Sequence, residues 1–178
     1  MSGLDVLASL RGDPVTAADF VYSWHRMLSP ALAAEYAYML YCLKNAQAFN
    51  EGKIADFSMV GAKALDARTL EVRLEHPTPY FLGMQQHQAW YPVHPATIEQ
   101  FGEMDQRDTR WTRPGSHVGN GAFMLKDWDP NEVIRVVKNP HYWNADAVRL
   151  EGIEFYPVDN QQTEERLFRA RMLHITST

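Results

Sequence analysis

Seven histidines, one cysteine, a Gly119-Asn120-Gly121 step and an adjacent Glu164-Glu165 pair are residues of this chain whose types could do chemistry. The histidines (His25, His76, His87, His94, His117, His141 and His174) form no HxxxH pair and no recognisable ligand motif with a carboxylate, so no metal site is expected. A phosphate cradle needs glycines that lead into a helix, so that backbone N–H groups face the anion. Here the glycines lead into a β-rich run and no lysine holds the phosphate-loop position; the step is expected to be a backbone turn using positive φ at Gly or Asn. No Gly-x-Ser-x-Gly elbow occurs, and Gly115-Ser116-His117 puts a serine beside a histidine in sequence only. Neighbouring glutamates on a helix do not converge on one face, so Glu164-Glu165 reads as solvated surface. Cys42, among Met39, Leu40 and Leu43, reads as a buried structural thiol. No catalytic residue and no cofactor emerge, and an enzyme is not expected.

The aromatic residues say more. A tyrosine brings a hydroxyl that must find water or a partner. Tyr36, Tyr38 and Tyr41 cannot share one helix face, so at least one is expected to point to solvent or a cleft. The 178 residues, 46% hydrophobic and 22% charged, suit a soluble globular protein of one ordinary domain or two small lobes. A formal net charge of −5 argues against a nucleic-acid partner, which needs a basic face. No run approaches the ~20 apolar residues of a membrane-spanning helix, and the first residues lack the basic-then-apolar order of a secretory signal, so none is expected in this chain.

The elements that must position these residues follow from periodicity. Thr16 with Asp19 three residues on predicts a capped helix whose apolar face is Phe20, Val21, Trp24, Met27 and Leu28, stopped at Ser29-Pro30. Leu32, Tyr36, Met39, Leu43 and Ala46 recur at helical spacing and predict a second helix over 31–50. Leu70, Val72 and Leu74 alternate with polar residues, which predicts a strand paired with 58–64 through a turn at Asp66-Ala67-Arg68. A short helix is expected from Thr78-Pro79 to Leu82, and another over 95–101 ended by Gly102. Residues 103–117 read as a long polar loop. Residues 122–128 and 132–138, joined at Asp129-Pro130-Asn131, read as a hairpin, with Tyr142-Trp143 packing the sheet edge. A strand over 152–158, a helix over 161–171 and a last strand over 174–176 complete the order.

Several strings then resemble one family, that of the family-5 extracellular solute-binding proteins, the oligopeptide- and dipeptide-binding subunits of ABC importers. They are GDPVTAADFVYSWHRMLSP, VGAKALDARTLEVRLEHPTPYF, YPVHPATIEQFG, WTRPGSHVGNGAFMLKDW and KNPHYWNADAVRLEGIEFYPV, in the family's order from Gly12 to Thr176. The resemblance implies an α/β (mixed α+β) fold, part of a type II periplasmic-binding-protein-like architecture, with mixed sheets and flanking helices. It assigns 1–93 to part of the small extra domain and 94–178 to part of the first ligand-binding lobe. It implies oligopeptides and the membrane subunits of an ABC importer as partners, a periplasmic or extracellular membrane-associated location, and Tyr36 as a ligand-facing residue.

Departures from the pattern lie at both ends. Ser9-Leu10-Arg11-Gly12 replaces a Trp-Ser-x-Gly approach, and Arg171-Met172-Leu173-His174 replaces a Gly-Glu-x-Asp turn, so a different turn is expected at Arg171. The chain is expected to be a partial one, lacking the N-terminal strands and the second lobe, with weak or no independent peptide binding. The alternative is a structural, oligomerising protein that reuses the lobe and self-associates through its exposed surface.

Overall fold

The computed structural model describes residues 12–176. The expected departure at Ser9-Leu10-Arg11 lies outside the described residues. Helix α1 (Ala17–Leu28) forms as its sequence requires. The backbone N–H and the hydroxyl of Thr16 donate to Asp19 Oδ2 at 2.6 and 3.0 Å, closing the N-terminal box. Ser29 swings to φ −60°, ψ 126° ahead of Pro30, where a helical conformation is sterically disfavoured. Its inner face buries Trp24 and Leu28, with the Trp24 ring edge-on to Trp90 at 5.2 Å between centroids.

The single helix expected over 31–50 does not form. A 3-10 turn (Ala37–Leu40) is followed by further turns and then by a short helix, α2 (Ala46–Asn50). The turn residues pair with residues 73–75 instead: Leu43 bridges Leu74, Lys44 N–H donates to Arg73 O at 2.9 Å, and Glu75 N–H donates to Cys42 O at 2.8 Å. Left-handed Ala33 (φ 49°) and Asn45 (φ 60°) bracket the break. Of the expected apolar stripe, Leu43 and Ala46 are buried and Met39 packs against the core, while Tyr36 stays outside it.

The hairpin is β1 (Ala62–Ala64) against β2 (Leu70–Val72), antiparallel, with Ala62 opposite Val72. Asp66 closes its turn by accepting from Arg68 N–H and Thr69 N–H at 2.7 and 2.8 Å. The strand starts later than expected, because Phe57–Met59 is a 3-10 turn capped by Asp56. Gly61 is required here: a Cβ would overlap Arg73 O. Helix α3 (Phe81–Met84) begins after Pro79, not on it, and α4 (Pro95–Phe101) starts at its proline as predicted.

Strands β3 (Phe123–Asp129), β4 (Val133–Lys138) and β5 (Gly152–Phe155) form one antiparallel sheet in the order β3-β4-β5. The first pair is the hairpin expected from β-branched and aromatic runs between turn formers, turned at left-handed Asn131 (φ 62°) and irregular between Leu125 and Asp127. The expected turn at Gly119-Asn120-Gly121 is corrected: none of the three has positive φ, and the left-handed glycine is Gly115 (φ 78°), where Arg113 O accepts from Ser116 N–H. Buried Asn139 ties the hairpin's ends together. Its Nδ2 donates to Gly121 O at 2.7 Å, its backbone N–H donates to Ala122 O, and its Oδ1 accepts from His141 N–H.

Helix α5 (Gln161–Arg169) is capped by Asn160, which accepts from Thr163 N–H at 3.0 Å. Two expectations fail in this part: Glu164 is buried, while Glu165 faces outward to Arg169, and 174–176 form no strand. Of the pair expected at the sheet edge, Tyr142 is half-buried and Trp143 is 56% exposed. Arg171 keeps a left-handed backbone (φ 61°) despite its side chain. No helix among the described residues is long and apolar enough to cross a membrane.

Candidate functional site

Tyr36 precedes the 3-10 turn Ala37–Leu40, and its carbonyl accepts from Met39 N–H at 3.1 Å. Ala37 and Leu40 are buried, so the tight turn anchors itself on them and sends Tyr36 and Tyr38 outward, 43% and 57% exposed. That fulfils the expectation that the three tyrosines cannot all face inward. Tyr41 turns back and donates to Asn50 Oδ1 at 2.7 Å.

His87, beyond the hairpin in sequence, comes to Tyr36 with ring centroids 5.1 Å apart; the Tyr38 ring lies 6.2 Å from that of Tyr36. His87 Nδ1 accepts from Ala89 N–H at 3.2 Å, which leaves the proton of the neutral ring on Nε2. The segment after it is rigid. Trp90 is 2% exposed, and its carbonyl accepts from Trp24 Nε1–H at 3.1 Å. Phe81 packs edge-on to the Trp90 ring at 5.5 Å. Tyr36, Tyr38 and His87 thus form an exposed ledge of flat, amphipathic side chains on two anchored turns. Such a ledge can stack on apolar or planar groups and offer hydroxyl and N–H donors, without a nucleophile–base pair. His87 is the member missed in the sequence: nothing in its spacing from Tyr36 signals the contact.

The other sequence candidates are not brought to this ledge. Gly119 and Asn120 border a cleft of about 20 Å³ with Asp19 and His94, room for about one water, and its carboxylate disfavours a phosphate. His94 Nε2 lies 3.5 Å from Asp13 Oδ2. His25 stacks on Phe57 at 4.2 Å; burial holds its pKa below the usual histidine range, with Asp105 opposing. Cys42 is partly buried, and burial pushes its thiol up. No three His, Cys, Asp or Glu among the described residues converge as a metal site. A polar hollow of about 320 Å³ beside α2 is lined by Asn45, Gln47, Glu51, Lys53 and Glu75. Its groups satisfy one another, with Gln47 and Lys53 on Glu51 and Asn45 N–H on Glu75.

Residues 11–178 match the family described as bacterial extracellular solute-binding proteins, family 5, middle part. The chain is 39% identical over 168 residues to the periplasmic oligopeptide-binding protein OppA of Escherichia coli K12, covering 93% of this chain and 30% of that protein. It is 37% identical over 169 residues to the periplasmic murein peptide-binding protein MppA of the same organism, covering 94% and 30%. Among solved structures, Haemophilus influenzae OppA in complex with the peptide RPPGFSPFR superposes with a TM-score of 0.87 at 33% identity, covering 96% of this chain and 32% of that one. The chain therefore spans about 30% of the length of the curated relatives it matches. These relatives are named as binding proteins, not enzymes. The mixed α/β fold is part of the type II periplasmic-binding-protein architecture. With the match running through nearly every described element, this chain belongs to the family-5 bacterial extracellular solute-binding proteins.

Proposed function

We propose that this chain supplies the Tyr36 face of an oligopeptide-binding subunit that serves an ABC-type importer in the periplasm or at the outer surface of the membrane. The observation that carries the reading is the ledge itself: Tyr36 stands half-exposed on a buried turn, braced by Tyr38 and His87. Its rigidity suits recognition, because little side-chain freedom is lost when a ligand is met. The peptide-binding relatives support the ligand class. Residues 1–93 then act as part of the small extra domain and 94–178 as part of the first lobe. The ledge alone offers only part of an enclosure, so independent affinity is low.

Isothermal titration of the chain with short mixed-sequence peptides tests this. Weak saturable heat is expected, with Tyr36→Ala weakening affinity about tenfold, the size of one lost aromatic contact. Absence of heat at millimolar peptide, or an affinity indifferent to Tyr36→Ala, overturns it. Deoxycholate is a useful competitor, since a relative from Escherichia coli K12 at 38% identity is named a probable deoxycholate-binding protein. Binding of the bile acid in place of peptide would change the solute class while keeping the ledge.

A further inference from the structure

The loop 103–117, between α4 and the segment leading into β3, lies on α1 through three contacts. Arg26 donates to the Met104 carbonyl, Ser29 Oγ donates to Asp105 Oδ2 at 2.6 Å, and the Arg26 guanidinium stands 5.6 Å from the Trp111 ring centroid. The Trp111 ring also stacks on His117, nearly parallel at 22° with centroids 6.0 Å apart. His117 Nδ1 is buried and meets no hydrogen-bond partner among the described residues. A Cβ on Gly119 would lie 3.3 Å from His117 Cε1, so the ring is held against both the indole and the backbone ahead of β3.

We propose that His117 is an acid-sensitive latch: a proton taken up by its ring displaces Trp111 and frees the loop 103–117 from α1. The neutral imidazole fits its place as a flat packing group. Protonated at Nδ1, it would present an N–H with no acceptor and a positive charge with no counter-ion. Cation–π attraction to Trp111 is the one favourable contribution, and Arg26 already draws on the same ring. His117 is half-buried, and an unpaired charge on a ring whose Nδ1 edge is shut off from water costs more than that attraction returns.

The surrounding charges do not rescue it. Arg26 of α1 is engaged by the Met104 carbonyl and the Trp111 ring, and Asp105 is engaged by Ser29. Glu99 of α4 acts on Tyr22, and Arg113, in the loop itself, lies over Trp128 at 5.3 Å. On the side of Gly119, His94 faces Asp13 and Asp19 is engaged by Thr16. Among the described residues no carboxylate comes within ion-pairing distance of the His117 ring. Burial holds its pKa below the usual histidine range. The open loop therefore binds more protons than the docked one as pH falls through that range, and docking weakens.

Hydrogen exchange of the 178-residue chain, corrected for intrinsic pH dependence and read by mass at about pH 7.5 and about pH 5, tests the latch. Protection over 104–117 is expected to fall on acidification, by at most about tenfold per pH unit, the limit for release linked to one proton. His117→Phe and, independently, His117→Gln should keep the loop protected at both pH values. His25→Phe, which removes the other half-buried imidazole near this loop, should leave the loop's response intact. In the unsubstituted chain, the titration of the His117 ring proton by NMR should share its midpoint with the change in Trp111 emission, identified against Trp111→Phe. Loop protection indifferent to pH, its loss persisting in either folded His117 variant, its disappearance in His25→Phe, or two distinct midpoints would each overturn the latch.

Discussion

The residues before Pro95 and those after Val118 differ in how much apolar core they close. In the first region Trp24, Leu28, Leu40, Leu43, Phe49 and Trp90 close one core around α1, the hairpin and three tight turns, while Tyr80 and Leu82 stay outside it. In the second, Val133 of the sheet β3-β4-β5 is buried and Asn139 follows it, but Trp128 and Phe155 of the sheet and Phe168 of α5 remain about half-exposed. Helix α1 can satisfy its apolar stripe against partners nearby in this chain. A three-stranded sheet followed by one short helix has fewer partners for its faces.

Truncation in the two regions should separate them most widely. Trp24→Ala should cost about 3–5 kcal/mol, because it removes a buried indole at the crossing of α1 and the Trp90 turn. Phe155→Ala should stay within about 0.5 kcal/mol, as an exposed substitution does. Chemical denaturation reads both, and equal costs would erase the contrast. Gly61→Ala is next: its Cβ would overlap the Arg73 carbonyl, so a cost of about 1–3 kcal/mol is expected in the same measurement.

Asn139→Ala sharpens the comparison from the other side. It removes the polar knot that joins Gly121 and His141 and should cost about 1–3 kcal/mol, showing that the second region is held by a buried polar group where the first is held by apolar packing. A smaller effect should appear with pH in the first region. Burial lowers the His25 pKa, so the unfolded chain binds the proton more readily. The stability that neutral His25 provides is present above its unfolded pKa and is lost as pH falls toward its folded one. His25→Phe should flatten that dependence in thermal unfolding curves, and a dependence that survives would assign it to other groups.

Local chemistry made part of this fold legible. Thr16 caps α1 and Asp19 sits in its first turn, so their box and the 3.6-residue stripe of α1 need no distant partner. The hairpin turn at Asp66 and the β-branched and aromatic runs of β3 and β4 are equally short-range. The resemblance strings, read together, identified the family. The stripe from Leu32 to Ala46 misled, because only Leu43 and Ala46 of it are buried and Tyr36 points outward. Tertiary pairing of Cys42–Lys44 with Arg73–Glu75 decided in favour of a broken helix, since those backbone groups would otherwise lack partners. Gly119-Asn120-Gly121 likewise had turn-forming composition, and the chain placed the left-handed residue at Gly115.

At the ledge the division is the same. That Tyr36, Tyr38 and Tyr41 could not all be buried follows from their spacing on any single helical turn. Their actual directions came from Ala37 and Leu40 being buried, and the company of His87 came from Trp24 holding the Trp90 turn against α1. A one-dimensional pattern can state which residues seek the core or water within a few positions. Which distant ring lies beside Tyr36, and which imidazole is left under Trp111 without an acceptor, depends on contacts closed by the whole chain.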